Sequence, residues 1–265
     1  MTQKYRRYTQ FGGYKLILEK IVKFHPVIYK IAFLIKQKFL GNLFAEEDLK
    51  GINNLNIDPK SVCIDVGANT GQSIEYFKSK FKSIHAFEPN VENYRYLKKK
   101  YKNYKYIKLY NFALGKKNEI KNLYIPYWKN FICLHQSASL IKQECFNSLK
   151  EFLSINKSDL NIKTSKVKVT KLNNFKIKNV SLIKIDSEGY EKEVLMGMTH
   201  YLKKDISIIL ENTLSSFKFS KKFLKRYGFE CYSFQNKNFT KKNLNKSLNL
   251  FFLKKYENKQ IVKNS

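Results

Sequence analysis

Arginine is nearly missing from this basic chain. It occurs only at positions 6, 7, 95 and 226, so the 51 Lys+Arg residues are almost all lysine. Acidic residues are also scarce, at 21, which leaves a formal net charge of +30. Lysine and asparagine are spread along the chain rather than clustered. A solvated surface shaped by compositional bias explains this, and a nucleic-acid, anionic-membrane or glycan partner is the sharper alternative. Cysteine is limited to Cys63, Cys133, Cys145 and Cys231, with no C-x-x-C pair and no zinc spacing. That pattern fits reduced thiols in a reducing compartment, with Cys63 and Cys231 as core residues. No apolar run reaches the uncharged length of a membrane span, and the polar start shows no signal peptide. A hydrophobic content of 43% excludes a largely disordered chain, and 265 residues can bury one full core.

What the chain does have is organised around residues 62–72, Val-Cys-Ile-Asp-Val-Gly-Ala-Asn-Thr-Gly-Gln. The apolar start reads as a short strand buried on both faces of a parallel sheet. Gly67 and Gly71 then make a tight turn into a helix, with Asn69 as the side-chain-bearing residue that best tolerates left-handed backbone. Strand, glycine turn and helix start form a cofactor cradle. Gly-Gln-Ser at its end is not the Gly-Lys-Ser/Thr of a phosphate loop, and G-x-G-x-x-G fails at Asn69 and Gln72. Asp65, two positions before the first glycine, repels pyrophosphate but suits a ligand carrying an amino group and a sulfonium. Glu88 ends the next strand about 20 residues on, where a carboxylate accepts hydrogen bonds from ribose hydroxyls. The cofactor expected is therefore S-adenosylmethionine.

Strands and helices alternate after this point. The helix 71–82 precedes the strand ending at Glu88, Pro89-Asn90 opens the helix 91–102, and residues 104–112 form a third strand. Its exit places Asn111 and Ala113 beside the adenine edge of the cofactor. Residues 119–136 read as a hairpin containing Trp128 and His135. Residues 137–163 are polar and weakly helical, and residues 166–170 are a strand. A strand at 181–186, a helix at 190–203, a strand at 206–210, a helix at 216–227 and two closing antiparallel strands complete the pattern. The fold class expected is α/β: a Rossmann-like, mostly parallel sheet with one antiparallel strand and helices on both faces. The domain division expected is an N-terminal helical extension or cap at 1–57 and the main domain at 58–256. That domain carries a hairpin or lid insertion at about 116–165, and a disordered tail follows at 257–265. Residues 14–40 form two helical pieces broken near His25-Pro26. They either cap the domain or lie on an anionic membrane.

These stretches, in this order and spacing, resemble the FkbM-type methyltransferases. The resemblance rests on Asp65-Val66-Gly67-Ala68-Asn69-Thr70-Gly71, Phe87-Glu88-Pro89, Ala113-Leu114-Gly115 and Ile183-Lys184-Ile185-Asp186-Ser187-Glu188-Gly189, and Ile209-Leu210-Glu211 looks like that family's next strand end. It covers about residues 60–212 and implies a Rossmann-like class I fold with O-methylation, often of sugar hydroxyls in glycans or secondary metabolites. One departure is Leu172-Asn173, where the family usually carries an aspartate after the leucine.

Asp65, Glu88, Asp186, Glu188 and Glu211 all fall at strand carboxyl ends, where open α/β sheets bind ligands. Cofactor binding is expected from Asp65, Gly67, Ala68, Asn69, Gly71, Glu88, Asn111 and Ala113. Asp186, Glu188 and Glu211 are the catalytic candidates, with Asp186 and Glu188 as general base or acceptor clamp. The structural alternative has Asp186 bonding the turn backbone and Glu188 capping the next helix. Glu211 is placed to join them around Mg²⁺. Lys184 shares their face by the strand period and is placed to neutralise them. Among the histidines, His85 reads as core, His25 and His200 as solvated or packed, and His135 as a second candidate base. Tyr127 and Trp128 either stack on a sugar or pack in the hairpin.

The partner expected is a carbohydrate or small-molecule acceptor, with peripheral contact to an anionic membrane or glycolipid, in the cytoplasm. A nucleic-acid (RNA) methyltransferase is the alternative suggested by the charge. Against base amino-group methylation stand the four prolines, at 26, 59, 89 and 126, which exclude an Asn/Asp-Pro-Pro-aromatic turn.

Overall fold

The computed structural model describes residues 47–128, 132–152, 160–213 and 215–254. The expected helical pieces within 14–40, His25 and the expected tail lie outside them. The described part of the extension is a 3-10 helix, Glu47–Asn54. It buries Leu49 and Ile52 against the sheet, and Asp48 accepts the backbone N–H of Asn249 at 2.7 Å and its side-chain amide at 3.1 Å. This segment packs as a cap on the sheet.

The chain first runs β1 (Val62–Val66), helix α1 (Gln72–Phe77), β2 (Ser83–Phe87), α2 (Val91–Lys100) and β3 (Ile107–Tyr110). An excursion follows: β4 (Ala113–Leu114), β5 (Glu119–Trp128), β6 (Ile132–Cys133), α3 (Lys142–Phe152) and β7 (Leu160–Thr170). The chain then returns through β8 (Val180–Ile185), α4 (Glu191–Gly197), α5 (Thr199–Leu202), β9 (Ser207–Glu211) and α6 (Phe217–Lys225), and closes with β10 (Phe229–Gln235), β11 (Asn238–Thr240) and β12 (Asn249–Lys254). The main sheet has the order β11-β10-β12-β9-β8-β1-β2-β3. β3, β2, β1, β8 and β9 are mutually parallel, and β12 runs antiparallel to both β9 and β10. This is the mostly parallel sheet expected, with β12 as the reversed strand and the short β11 as an added antiparallel edge.

Both faces of the sheet are covered, so its central strands read as continuous apolar runs. Ile64, Ile183, Ile185, Ile208 and Leu210 pack on one side, and Cys63, Ile84, Leu182, Ile209 and Phe251 on the other. Each such fully buried aliphatic side chain stabilises the fold by roughly 1.5–3 kcal/mol.

The expected hairpin at 119–136 is present but short: β6 pairs antiparallel with β5 through Tyr127↔Cys133 and Trp128↔Ile132. The unexpected part is that β5 also runs antiparallel to β7 along its whole length, from Glu119↔Val169 to Trp128↔Leu160. The first half of β7, Asn161-Ile162-Lys163-Thr164-Ser165, is mostly exposed. With no buried face it carries no period-two signal and reads as polar loop. Together with β4 these strands form a second sheet, β4-β7-β5-β6. The expected single helix 190–203 is also divided, by Met198 between α4 and α5. The break falls beside Gly197, where the Gly115 carbonyl approaches so closely that a Cβ would collide with it. The described residues contain no helix long and apolar enough to cross a membrane.

Candidate active site

The carboxyl ends of β1, β2, β8 and β9 open on a cavity of about 290 Å³, roofed by the β4–β6 excursion. On one side the β1–α1 turn has left-handed backbone at Gly67 (φ 82°), Asn69 (φ 49°) and Gly71 (φ 83°). At Gly67 the reason is also steric, because a Cβ would run into the carbonyl oxygen of Asp186 at the neighbouring strand exit. The backbone N–H groups of Gly67 and Ala68 both donate to the Phe87 carbonyl, tying the turn to β2.

Glu88 fixes the next part of the wall. Its Oε2 accepts the Asn69 N–H at 2.7 Å and its Oε1 accepts the Asn90 N–H at 2.8 Å. The Asn93 side chain also bonds this carboxylate, and the remaining acceptor capacity faces the cavity for a ligand hydroxyl. Burial lifts its pKa to about 7, against the pull of those two backbone donors. Asp65 is fully buried, and neither of its carboxylate oxygens has a hydrogen-bond partner. Burial lifts its pKa to about 6; Lys184 opposes the rise and Asp186 adds to it. A buried carboxylate left without a donor is costly. The carboxylate lies behind the cavity wall, so its charge acts through the turn rather than by contact and favours a cationic ligand on the other side, as the amino group and sulfonium of S-adenosylmethionine require.

Of the residues expected to bind cofactor, Gly67, Ala68, Asn69, Glu88 and Ala113 line the cavity. Asp65 and Gly71 lie behind its wall. Asn111 is turned away, its side-chain amide donating to the carbonyls of Glu88 at 2.8 Å and Pro89 at 3.0 Å. It supports the turn after β2 rather than facing a ligand.

Asp186, Glu188 and Glu211 converge at the exits of β8 and β9, beside the β1 turn, with one carboxylate oxygen from each within 4.8 Å of the others. Lys184 is almost fully buried and its Nζ donates to Asp186 Oδ2 at 2.8 Å, the neutralising role expected of it. Glu188 has left-handed backbone (φ 50°), unusual for a side-chain-bearing residue, and its carbonyl accepts the Ser139 hydroxyl at 2.7 Å. The turn that carries Glu188 is held by Glu191, which sequence reasoning did not single out. Its Oε1 accepts the N–H groups of Ser187 (3.2 Å) and Gly189 (3.0 Å) and the Ser187 hydroxyl (3.0 Å). Its Oε2 accepts the Thr213 hydroxyl at 3.2 Å. The signal was an acid in the first turn of the helix, where the helix dipole favours negative charge.

Asn173, the departure from the family pattern, has a structural task away from the cavity. Its Oδ1 accepts the His200 N–H at 3.1 Å and its amide donates to the Thr199 hydroxyl at 3.3 Å, capping α5. His85 is buried beside Tyr110, with 2.9 Å between its Nδ1 and the Tyr110 hydroxyl, and burial pushes its pKa down to about 4. It is the core histidine expected. His135 lines the cavity. The arrangement brings the glycine turn, Glu88 and the three acids of the β8 and β9 exits around one cavity.

No curated protein gives a significant match. Among solved structures, the methyltransferase FkbM of Methylobacillus flagellatus KT aligns at 14% identity with a TM-score of 0.48, over 76% of this chain and 45% of that one. This chain therefore spans less than half the length of that protein. A precorrin-6y C5,15-methyltransferase from Geobacter metallireducens GS-15 aligns at 14% identity and TM-score 0.39, over 77% and 84% of the two chains. A ribosomal protein L11 methylase from Lactobacillus delbrueckii subsp. bulgaricus aligns at 13% and 0.40, over 77% and 74%. The family profile described as "Methyltransferase FkbM domain" matches residues 65–231, from the buried acid of β1 through β9 to the first residues of β10. With the match covering more than half its length, the chain belongs to the FkbM methyltransferase family.

Proposed function

We propose that this chain transfers the methyl group of S-adenosylmethionine to a hydroxyl of a sugar, in a glycan, a glycolipid or a secondary metabolite. The observation that carries this reading is the convergence of the Asp186, Glu188 and Glu211 carboxylates on the cavity that Glu88 and the glycine turn also line. When bound, the cofactor supplies an electrophilic methyl carbon on a sulfonium. The turn at Gly67, Ala68 and Asn69 would hold its cationic part, with the charge of the buried Asp65 acting from behind the wall, and Glu88 would accept from its ribose hydroxyls. A sugar hydroxyl is weakly acidic and must lose its proton as it attacks, so a carboxylate within hydrogen-bond reach contributes about 10²–10⁴-fold. Glu188 takes that proton at a carboxylate oxygen. Asp186, whose charge Lys184 already engages, orients the acceptor as a hydrogen-bond acceptor.

The same three carboxylates offer hard oxygen ligands for Mg²⁺. In this reading the Lys184 ammonium supplies the local positive charge instead, and added Mg²⁺ leaves the rate unchanged.

The test is methyl-labelled donor incubated with purified protein and fractionated host extract. Label in periodate-sensitive, nuclease-resistant material supports the sugar reading, with Glu188→Gln lowering kcat about 10²-fold or more while donor affinity is kept. Label released by nuclease overturns the acceptor class in favour of RNA, the reading favoured by the +30 charge.

A further inference from the structure

A second set of ligating atoms stands at the rim of the same cavity, apart from the acids just described. Glu92 is the second residue of α2, Cys133 ends β6, and His135 opens the 3-10 turn His135–Ser137. The Cys133 Sγ is 3.3 Å from His135 Nδ1, and Glu92 Oε2 is 3.8 Å from the other ring nitrogen, Nε2, so one of these distances is an edge of a site that takes a single imidazole nitrogen. One donor atom from each of the three residues lies within 4.8 Å of the others. Zinc bond lengths to these ligand types give edges of roughly 3.3–3.7 Å, so a metal draws the three atoms together by about an ångström, which the exposed Glu92 side chain can supply.

We infer that Glu92, Cys133 and His135 form a binding site for a borderline-soft divalent metal of the Zn²⁺ class, with three protein ligands and a fourth position open to the cavity. The donor set is sulfur, imidazole nitrogen and carboxylate oxygen, which suits Zn²⁺ or Co²⁺ and not Mg²⁺. Three ligands rather than four is the pattern of open sites. His135 lines the cavity, which gives the fourth position access to whatever enters it.

The surroundings also fit. Tyr127, opposite Cys133 in the β5–β6 register, hydrogen-bonds the sulfur, and Lys163 stands 4.3 Å from the Tyr127 ring centroid. The Asn90 side chain accepts the Glu92 N–H at 3.0 Å and lies 3.2 Å from His135 Nδ1, holding two of the three ligand-bearing residues in place.

The metal displaces the thiol proton to solvent as the metal–sulfur bond forms. The other three cysteines are buried elsewhere, each as a free thiol.

The test is a titration of untagged, metal-free full chain with Co²⁺ alone, followed by optical absorption. It needs neither donor nor acceptor, so its outcome is separate from that of the methyl-transfer reading. The expected result is one equivalent bound with a near-ultraviolet thiolate-to-cobalt band, displaced by Zn²⁺, with affinity rising about tenfold per pH unit as one proton is released. Cys133→Ser removes the band. Glu92→Gln, at a side chain 61% exposed and so safe for folding, keeps the band but weakens affinity about tenfold or more. Absence of the band in the native chain overturns the proposal. So does a band unchanged in Cys133→Ser, or Co²⁺ binding without a band that Asp186→Asn abolishes.

Discussion

At the scale of single residues, Asp65 and Glu88 hold carboxylates where water does not reach, and both prefer the proton more in the fold than in the unfolded chain. The ordinary values of 3.8 and 4.5 rise to about 6 and about 7. Folding therefore takes up protons in this window. The stability linked to the two groups is fully present below about pH 4 and is lost as pH rises through about 6 and then about 7. The melting temperature of the donor-free protein should fall between about pH 5 and pH 8, while affinity for the cationic donor rises over the same range as the carboxylates ionise. Asp65→Asn should flatten the Asp65 part of the fall, raise the melting temperature at pH 8 and weaken donor binding about tenfold or more. Thermal scans and calorimetry across that range decide it. A melting temperature that rises with pH would mean both acids are already ionised and paired.

Glu191 acts at the same scale but through other groups. It touches the turn that carries Glu188, not the cavity, and so it is a positioning residue. Glu191→Ala leaves the Ser187 and Gly189 N–H groups without their acceptor and should cost about 2–4 kcal/mol of stability in denaturant unfolding. Glu191→Gln keeps one acceptor oxygen and should fold. Its kcat should fall about tenfold while donor affinity changes less than about twofold, a split that a purely structural role would not produce.

At the scale of elements, the site depends on two strand exits meeting. β1 and β8 are adjacent and parallel, so the turns leaving them lie side by side, and Gly67 is the point of contact with Asp186. Gly67→Ala introduces a Cβ on left-handed backbone and against a carbonyl. It should destabilise the chain by about 3 kcal/mol or more and reduce donor binding in any fraction that folds, measured by denaturant midpoint and calorimetry. The glycine turn, Asn69 and the acid at the end of β2 were legible because backbone permissiveness and strand period are local properties. The β5–β7 pairing was not. It joins segments about forty residues apart, one of them half exposed, so register came from tertiary packing rather than from pattern.

At the scale of the molecule, a charge of +30 on 265 residues sets up self-repulsion that contacts offset only in part. Lysine ammoniums over rings, such as Lys254 at 4.4 Å from Phe229 and Lys163 over Tyr127, spread some of it. Screening should relieve the rest, so raising NaCl from about 0.05 M to about 0.5 M should raise the melting temperature by a few degrees. An unchanged value would show that the charge is compensated locally.

The sequence by itself determined the alternation of strands and helices, the turn at residues 67–71 and the series of acids at strand ends. These follow from hydrophobic period, glycine conformation and the rule that α/β sheets bind ligands at their carboxyl edges. The tertiary structure alone decided which acid supports which turn, with Glu191 holding the turn that carries Glu188. It also turned Asn111 away from the cavity and brought Glu92 beside Cys133 and His135. Such choices depend on where separate elements converge, and convergence is a property of the packed sheets that no local stretch of chain contains.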